Sequence, residues 1–270
     1  MEFDLKNRLK IYIPALFDLI EEDQIDWNPI IKNFDKKYNE LKKKLKETAE
    51  PVPTKSSLYG IITQAIQGNI SAIRIFDFIN KLFQELSDSL NINERKLIKR
   101  NLFDILVSQD EKYLNYVGEL ACLNTILKTG DYRLLKVEQK LEEGIKESSH
   151  IDFMLLANRT NSKYLVEIVN VHLSKDNTRD NFKIERLLEQ KVRNKVLITA
   201  KKSVNPFILV PILWGSHEWI KKILEFYETI EFQLENVLIP SCYIPFTDSE
   251  GNMIHRFGTI DTIFEQQKGA

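Results

Sequence analysis

Two consecutive apolar runs in the middle of the chain each contain one carboxylate, and this pair limits the folds that the sequence can adopt. Ile151–Leu156 has Asp152 at its second position, and the β-branched run Tyr164–Leu173 has Glu167 inside it. Residues 157–163 between them are polar and turn-prone, so the two runs predict an antiparallel β-hairpin. A carboxylate among Val, Ile and Leu is costly to bury unless something pairs with it. Two such residues on paired strands indicate a shared cation.

A third acidic residue precedes this hairpin on a predicted helix. Residues 116–129 show the spacing of a buried helical stripe and stop at Gly130, a residue that commonly terminates helices. Glu119 lies four residues before Leu123, beside that stripe, so its side chain is expected to face the sheet. The apolar positions of the stripe are Leu120, Leu123, Ile126 and Leu127.

This order of elements, over about residues 112–215, resembles the core of the PD-(D/E)XK nuclease superfamily, which has the restriction-endonuclease-like fold. In the resemblance Asp152 matches the family Asp, Glu167 the (D/E) and Glu119 the helix acid. The resemblance implies that these three carboxylates hold a divalent metal, Mg²⁺ or Mn²⁺, at the scissile phosphate. The family's lysine lies two residues after the second acid, and Val169 occupies that position here.

The resemblance also draws attention to Lys191, because some members of the superfamily place the lysine on the following helix. Residues 181–195 predict such a helix, with Lys191 seven residues after Ile184 on the stripe that faces the sheet. Two interpretations stay open. Either the Lys191 amine pairs with Glu167 and replaces the missing strand lysine, or the Lys191 stem lies along the sheet while the amine reaches solvent.

Each acid also has an ordinary structural interpretation. Asp152 is compatible with a turn-capping role after residues 148–150, and Glu119 with that of an exposed first-turn helix acid that interacts favourably with the helix dipole. Glu167 has no comparable explanation, since it lies within a strand of Val and Ile. Strand alternation places Asn170 on the face opposite Glu167 unless a bulge intervenes.

The organisation of the chain predicts an α/β protein with an N-terminal all-helical region, residues 1–110, and a mixed β-sheet flanked by helices, residues 111–270. In the helical region Pro14 splits the first run, residues 51–57 form a linker, and residues 58–90 form one long helix or two helices broken near residue 68. Asn28 and Asn93 are predicted to be helix N-caps.

The second region predicts further strands. They are residues 132–137, 195–200 and 207–215, followed by a helix over 218–226, a second helix to about 235, and a hairpin from residues 242–246 and 253–257. The runs 195–200 and 207–215 are typical of strands that helices cover on both faces.

Composition and charge limit the kinds of partner and the cellular compartment that the sequence predicts. The chain is 43% hydrophobic with a formal net charge of −1, so any nucleic-acid surface is a local patch. The most basic segment, Lys36–Lys46, predicts either a phosphate-contacting stripe or, as the favoured interpretation, a solvated helix face. Cys122 and Cys242 do not form a metal or disulfide pattern, and no signal peptide or membrane span is evident. These features predict a cytoplasmic protein.

Two classes of function follow from these expectations. The first is a Mg²⁺-dependent endonuclease that hydrolyses phosphodiester bonds in DNA, or less favourably RNA, in restriction or defence. Its catalytic residues are Glu119, Asp152, Glu167 and Lys191. The alternative is a catalytically inactive nuclease-like fold that binds nucleic acid or protein, with the helical region as a surface for a homodimer or another protein.

Overall fold

The computed structural model describes residues 4–47, 58–108, 112–140, 150–193, 207–229, 242–247 and 253–258. Contacts between residues divide the chain into two compact units, Met1–Asn124 and Thr125–Ala270. The described part of the first unit is helical, and the second contains a six-stranded mixed sheet. The fold class is therefore α/β, as the sequence predicts. Within the described residues no helix is both long and apolar enough to cross a bilayer.

The described residues of the first unit form eight α-helices and one 3₁₀ turn. Pro14 separates the first two helices, and Gly68, at φ +80°, separates the fourth from the fifth, so residues 58–90 form two helices. Asn69 caps the fifth helix by accepting a hydrogen bond from the Ala72 amide. The helices are α1 Leu5–Tyr12, α2 Ala15–Leu19, α3 Trp27–Glu47, α4 Leu58–Ile66, α5 Ile70–Ser89, α6 Ile92–Leu97, α7 Lys99–Val107 and α8 Tyr113–Leu127, with a 3₁₀ turn at Glu22–Gln24.

Helix α5 forms the centre of the helical unit. It contacts α1, α2 and α4, which explains why its apolar residues occupy more than one face. Its Asn80 side chain accepts a hydrogen bond from the Ala15 amide at 2.9 Å, supplying an acceptor to α2, which lacks a capping side chain of its own. The buried residues of α5 are Ala72, Phe76, Ile79, Leu82, Phe83, Leu86 and Ser87.

Both predicted N-caps are displaced by two residues. Helix α3 begins at Trp27, and Asp26 rather than Asn28 accepts the capping hydrogen bond, from the Asn28 amide at 3.2 Å. Asn91 rather than Asn93 caps α6, accepting from the amides of residues 93 and 94, while Glu94 accepts from the Asn91 amide. This reciprocal pair is a capping box, and the spacing of Asn91 and Glu94 is its sequence signal.

We expect Asn91→Ala to lower the free energy of unfolding of the helical unit by about 0.5–2 kcal/mol, since two amides lose their acceptor. Asn93→Ala is the matched control, because Asn93 is exposed and contributes only its backbone amide to the box. That control should change the free energy by less than about 0.5 kcal/mol. Urea denaturation followed by circular dichroism measures both, and an equal or larger loss in the control contradicts the assignment.

Residues 113–124 of helix α8 belong to the helical unit, and its last three residues belong to the second unit. The Asn101 amide group donates to Glu119 Oε2 at 3.0 Å, and the Asn124 amide group donates to Glu85 Oε2 at 2.7 Å, which ties α8 to α7 and α5. Cys122 lies between them as a fully buried core residue. The two compact units divide between residues 124 and 125. The domain boundary between residues 110 and 111 stays a prediction of the sequence.

The second unit is organised around a sheet whose strands lie side by side in chain order. β1–β2, β2–β3 and β5–β6 are antiparallel, and β3–β4 and β4–β5 are parallel. A helix lies in each parallel crossover, as such connections require. The strands are β1 Tyr132–Lys140, β2 His150–Ala157, β3 Lys163–His172, β4 Phe207–Trp214, β5 Cys242–Thr247 and β6 Met253–Gly258; the helices are α9 Asn181–Leu188, followed by a π-helical turn at Glu189–Arg193, and α10 His217–Thr229.

The structure confirms both predicted hairpins and the strand over residues 207–214. Residues 165–169 of β3 are all buried, so both faces of this strand are covered. Helix α9 ends at Leu188 and is shorter than the helix predicted over 181–195. The predicted linker 51–57, the strand 195–200 and the helix to residue 235 lie outside the described residues.

Candidate functional site

The described pairing of the β2–β3 hairpin ends one residue before Asp152 and Glu167. The antiparallel ladder pairs Phe153 with Val166, and continuing it by one residue on each strand places Asp152 opposite Glu167. Residues opposite each other in an antiparallel pair lie on the same face, with Cβ atoms about 4.5–5.5 Å apart. The register, continued in this way, thus predicts that the two carboxylates lie opposite each other on one face of the sheet.

Asp152 is held in place by the backbone of the partner strand. Its Oδ2 atom accepts a hydrogen bond from the Ile168 amide at 2.6 Å, at the point where the ladder between β2 and β3 ends. The carboxylate therefore occupies the place of a backbone acceptor on β2. This bond limits the rotation of the Asp152 side chain relative to Glu167.

Glu167 lies in the middle of the sheet and is 2% exposed. Its neighbour on β4 is Leu209, and Val169, two residues further along the same face, is 7% exposed and pairs with Pro211. The surroundings of the carboxylate on these strands are therefore apolar. Val169, where the resemblance noted in the sequence would expect a lysine, is therefore a buried aliphatic residue.

Asn170 lies on the opposite face, as strand alternation predicts. The register of β3 with β4 runs without interruption from Leu165 to His172, so no bulge reverses the alternation. The Trp214 indole N–H donates to Asn170 Oδ1 at 2.8 Å, and the His172 ring stacks on Trp214 at a centroid distance of 6.3 Å. Asn170 thus fixes an aromatic pair and does not join the carboxylates.

Lys191 is exposed, in the π-helical turn Glu189–Arg193. This turn contacts β3, but it interrupts the α-helical spacing that relates Lys191 to the buried Ile184. A π-helical turn contains more residues than an α-helical turn, so the residues after Leu188 leave the stripe predicted for them. The exposure agrees with the interpretation in which the Lys191 amine reaches solvent.

Glu119 is half-buried in the second turn of α8, because this helix begins three residues earlier than predicted. It is therefore not an exposed first-turn acid. Its described partner is Asn101, a buried residue of α7 whose side-chain oxygen has no hydrogen bond among the described residues. The sequence contains no signal for this pair. The role of Glu119 as a metal ligand stays a prediction.

The donors at the β2–β3 hairpin are chemically suited to a hard divalent cation. Mg²⁺ is commonly held by one or two carboxylates while substrate phosphates and waters complete its coordination. Asp152 and Glu167 would hold such an ion. Among the residues that the structure describes, however, no group of three or more His, Cys, Asp or Glu side chains is arranged for a metal. The suitability of this region for a divalent cation therefore rests on Asp152 and Glu167 alone.

Comparisons with known proteins do not assign a family. No model of a known protein family matches the sequence, and no curated protein matches it. Among solved structures, the chain is similar to SfsA of Pyrococcus furiosus, solved in complex with Ca²⁺, with 15% sequence identity and a TM-score of 0.27. The match covers 56% of this chain and 64% of that chain, so it spans less than two thirds of the SfsA chain.

Proposed function

We propose that the protein is a metal-dependent nuclease that hydrolyses phosphodiester bonds in DNA or, less favourably, RNA. One observation carries the proposal: the described β2–β3 register ends at Phe153 opposite Val166, and one further step on each strand would make Asp152 and Glu167 neighbours on one face of the sheet. Two carboxylates this close repel each other unless a cation or a proton lies between them. A divalent ion that also binds a phosphate oxygen satisfies both carboxylates.

The chain's own residues have distinct parts in this proposal. Glu167 presents its carboxylate from a buried strand position, and the Ile168 amide holds Asp152 against it. The surrounding strand residues exclude water, which strengthens the attraction between the carboxylates and a cation. When bound, Mg²⁺ or Mn²⁺ supplies a Lewis acid that polarises the phosphate. We propose Lys191 as a residue that contacts substrate, because its exposed amine suits a phosphate better than a buried acid.

The second candidate is a nuclease-like fold that binds nucleic acid or protein without cleaving it. Two observations favour it: the superfamily's lysine position is the buried Val169, and Lys191 is exposed. A lysine ammonium beside the phosphate stabilises the transition state of hydrolysis. A strand without that lysine is therefore expected to lose more in cleavage rate than in affinity for nucleic acid. The helical unit is the proposed surface for a second copy or another protein in this case.

Calorimetric titration with Mn²⁺ tests the carboxylate pair. We expect binding to the wild type, and loss of that binding in Asp152→Asn, which keeps an acceptor for the Ile168 amide but lacks the charge. Asp176→Asn is the matched control, because Asp176 is exposed in the connection after β3. Circular dichroism checks that each variant is folded.

The outcomes separate the two candidates. Binding that is lost in Asp152→Asn and kept in Asp176→Asn supports a metal site at the hairpin, and cleavage assays on single- and double-stranded DNA and RNA then decide whether it is catalytic. Metal binding without cleavage supports the second candidate. Absence of binding in the wild type, with and without an added oligonucleotide, contradicts the metal-dependent nuclease.

A further inference from the structure

The helical unit contains a pocket that the candidate nuclease site does not use. It has a volume of about 380 Å³ and lies between residues 20–26, which lead into α3, and the consecutive helices α6 and α7. Ligand-binding clefts in proteins have volumes of about 300–1,000 Å³. The pocket therefore has room for a small molecule of about a dozen non-hydrogen atoms, if each takes roughly the 30 Å³ of a liquid water.

The floor of this pocket is apolar. Ile20, Ile25, Leu102 and Leu106 line it, and each of them is less than 9% exposed. Apolar walls favour the hydrocarbon part of a ligand because they remove it from water. Lining side chains of this kind form no hydrogen bonds with a polar ligand, so the chemistry of the floor selects an apolar body.

The rim of the pocket is positively charged. Lys96, Lys99 and Arg100 line it from one face of α6 and α7, and all three are exposed. Neither lysine forms an ion pair with another described residue, while Arg100 lies 3.7 Å from Asp104. Among the described residues of the lining, Asp26 has the single carboxylate, and it accepts the capping hydrogen bond of α3. The rim thus favours an anionic group.

Hydrogen bonds within the protein hold the helices around this pocket in place without a ligand. The Arg95 guanidinium donates to the backbone carbonyls of Asp18, Ser87 and Leu90, at 3.2, 2.5 and 3.0 Å. These bonds fix the start of α6 to the ends of α2 and α5. A pocket formed in advance requires little conformational entropy to be lost on binding, which favours affinity for small ligands.

We propose that this pocket binds a small amphipathic anion, a carboxylate with an unbranched apolar chain of about ten carbons. The apolar chain occupies the floor and the carboxylate lies beside Lys96 and Lys99. A partner helix fits less well, because helix docking needs an extended apolar groove. The most exposed large apolar side chain in the described lining is Leu97, which is 36% exposed, so the lining offers little exposed apolar surface to a helix.

Calorimetric titration of the full chain with decanoate, below its micelle concentration, tests this site. We expect Lys96→Glu/Lys99→Glu to weaken binding about tenfold, since each exposed charge pair contributes a few-fold and reversal adds repulsion. The matched control is Lys32→Glu/Lys36→Glu, which makes the same charge change at exposed positions of α3 outside the pocket and should leave affinity within about twofold. Decyltrimethylammonium, with the same chain and the opposite charge, should bind more weakly than decanoate.

Methyl NMR of isoleucine-labelled protein locates the ligand. On addition of decanoate the methyl resonances of Ile20 and Ile25 should shift, while that of Ile184, in the other unit, should not. Absence of decanoate binding overturns the proposal. Equal affinity in Lys96→Glu/Lys99→Glu and the wild type, equal affinity for the cationic analogue, or unshifted Ile20 and Ile25 methyls would each overturn it as well.

Discussion

Replacing Glu167 with glutamine is expected to lower the metal-dependent rate of phosphodiester cleavage at least about a hundredfold. Substitution of residues that only orient metal ligands typically costs 10- to 100-fold in affinity or activity, so loss of the carboxylate that we propose as a direct ligand should reach or exceed the upper figure. Glutamine keeps the size of the side chain, which lies 2% exposed in β3, and removes its charge. The measurement is the cleavage of labelled single- and double-stranded oligonucleotides with Mg²⁺ or Mn²⁺.

If the protein binds Mn²⁺ as proposed, the same variant should abolish the stabilisation that this binding gives the folded protein. A ligand that binds only the native state stabilises it by about 2.7 kcal/mol at a hundred times its dissociation constant, which raises the midpoint of thermal unfolding. Glu185→Gln, an exposed position of α9, is the control and should keep both cleavage and the thermal shift. Cleavage at the wild-type rate in Glu167→Gln would rule out the carboxylate pair as the catalytic centre.

Lys191→Ala completes this series. If the Lys191 amine assists hydrolysis at the carboxylate pair, the variant lowers the cleavage rate at saturating substrate. If the amine contacts only a distant phosphate, the variant weakens substrate binding and leaves that rate unchanged.

The second large effect is expected at Tyr59 of α4, where Tyr59→Ala should lower the free energy of unfolding by about 3–5 kcal/mol, as for other buried aromatic residues. The Tyr59 ring is 4% exposed and lies against Phe34, with ring centroids 4.9 Å apart. Its hydroxyl donates to the Leu106 carbonyl at 2.7 Å. Leu106 lies in the last turn of α7, where carbonyl groups lack a partner within the helix.

Tyr59→Phe separates the hydrogen bond from the packing. It should cost about 1–3 kcal/mol, because the buried Leu106 carbonyl loses its donor while the ring remains. Tyr12→Phe is the matched control, since the Tyr12 ring also lies against a phenylalanine, Phe76, with ring centroids 5.2 Å apart. The control should stay within about 0.5 kcal/mol. Urea denaturation measures the three variants, and equal losses in Tyr59→Phe and Tyr12→Phe would exclude the hydrogen bond as a source of stability.

The burial of Tyr59 also predicts that the stability of the folded protein depends on pH. Burial raises the pKa of the Tyr59 hydroxyl well above its ordinary value, because the charged form is poorly solvated. Above about pH 10 the unfolded chain loses this proton and the folded chain keeps it, so stability falls as the pH rises. The slope from this group is about 1.4 kcal/mol per pH unit at its steepest. Tyr59→Phe should show a correspondingly shallower loss of stability between pH 10 and 11.

Local sequence patterns predict most of the elements in the described residues. The alternation and β-branching of residues 151–156 and 164–173, with a polar segment between them, are sufficient for the β2–β3 hairpin. The same pairing, continued by one residue on each strand, predicts Asp152 and Glu167 on one face. Pro14 interrupts a helix because its ring fixes φ and it has no backbone N–H. Gly68 ends a helix because it readily adopts a positive φ. These features depend on a few neighbouring residues, which is why the sequence alone determines them.

Features that depend on contacts between distant residues are decided by the tertiary structure. Asn101 and Asn124 are ordinary helix residues in the sequence, yet their bonds to Glu119 and Glu85 assign α8 to the helical unit. The π-helical turn after Leu188 moves Lys191 off its predicted stripe, a change that residue spacing does not reveal. The pocket joins residues 20–26 to residues 96–106, about seventy positions away. Hydrophobic burial does not prescribe which distant partner a residue meets, so packing of the whole unit makes that choice.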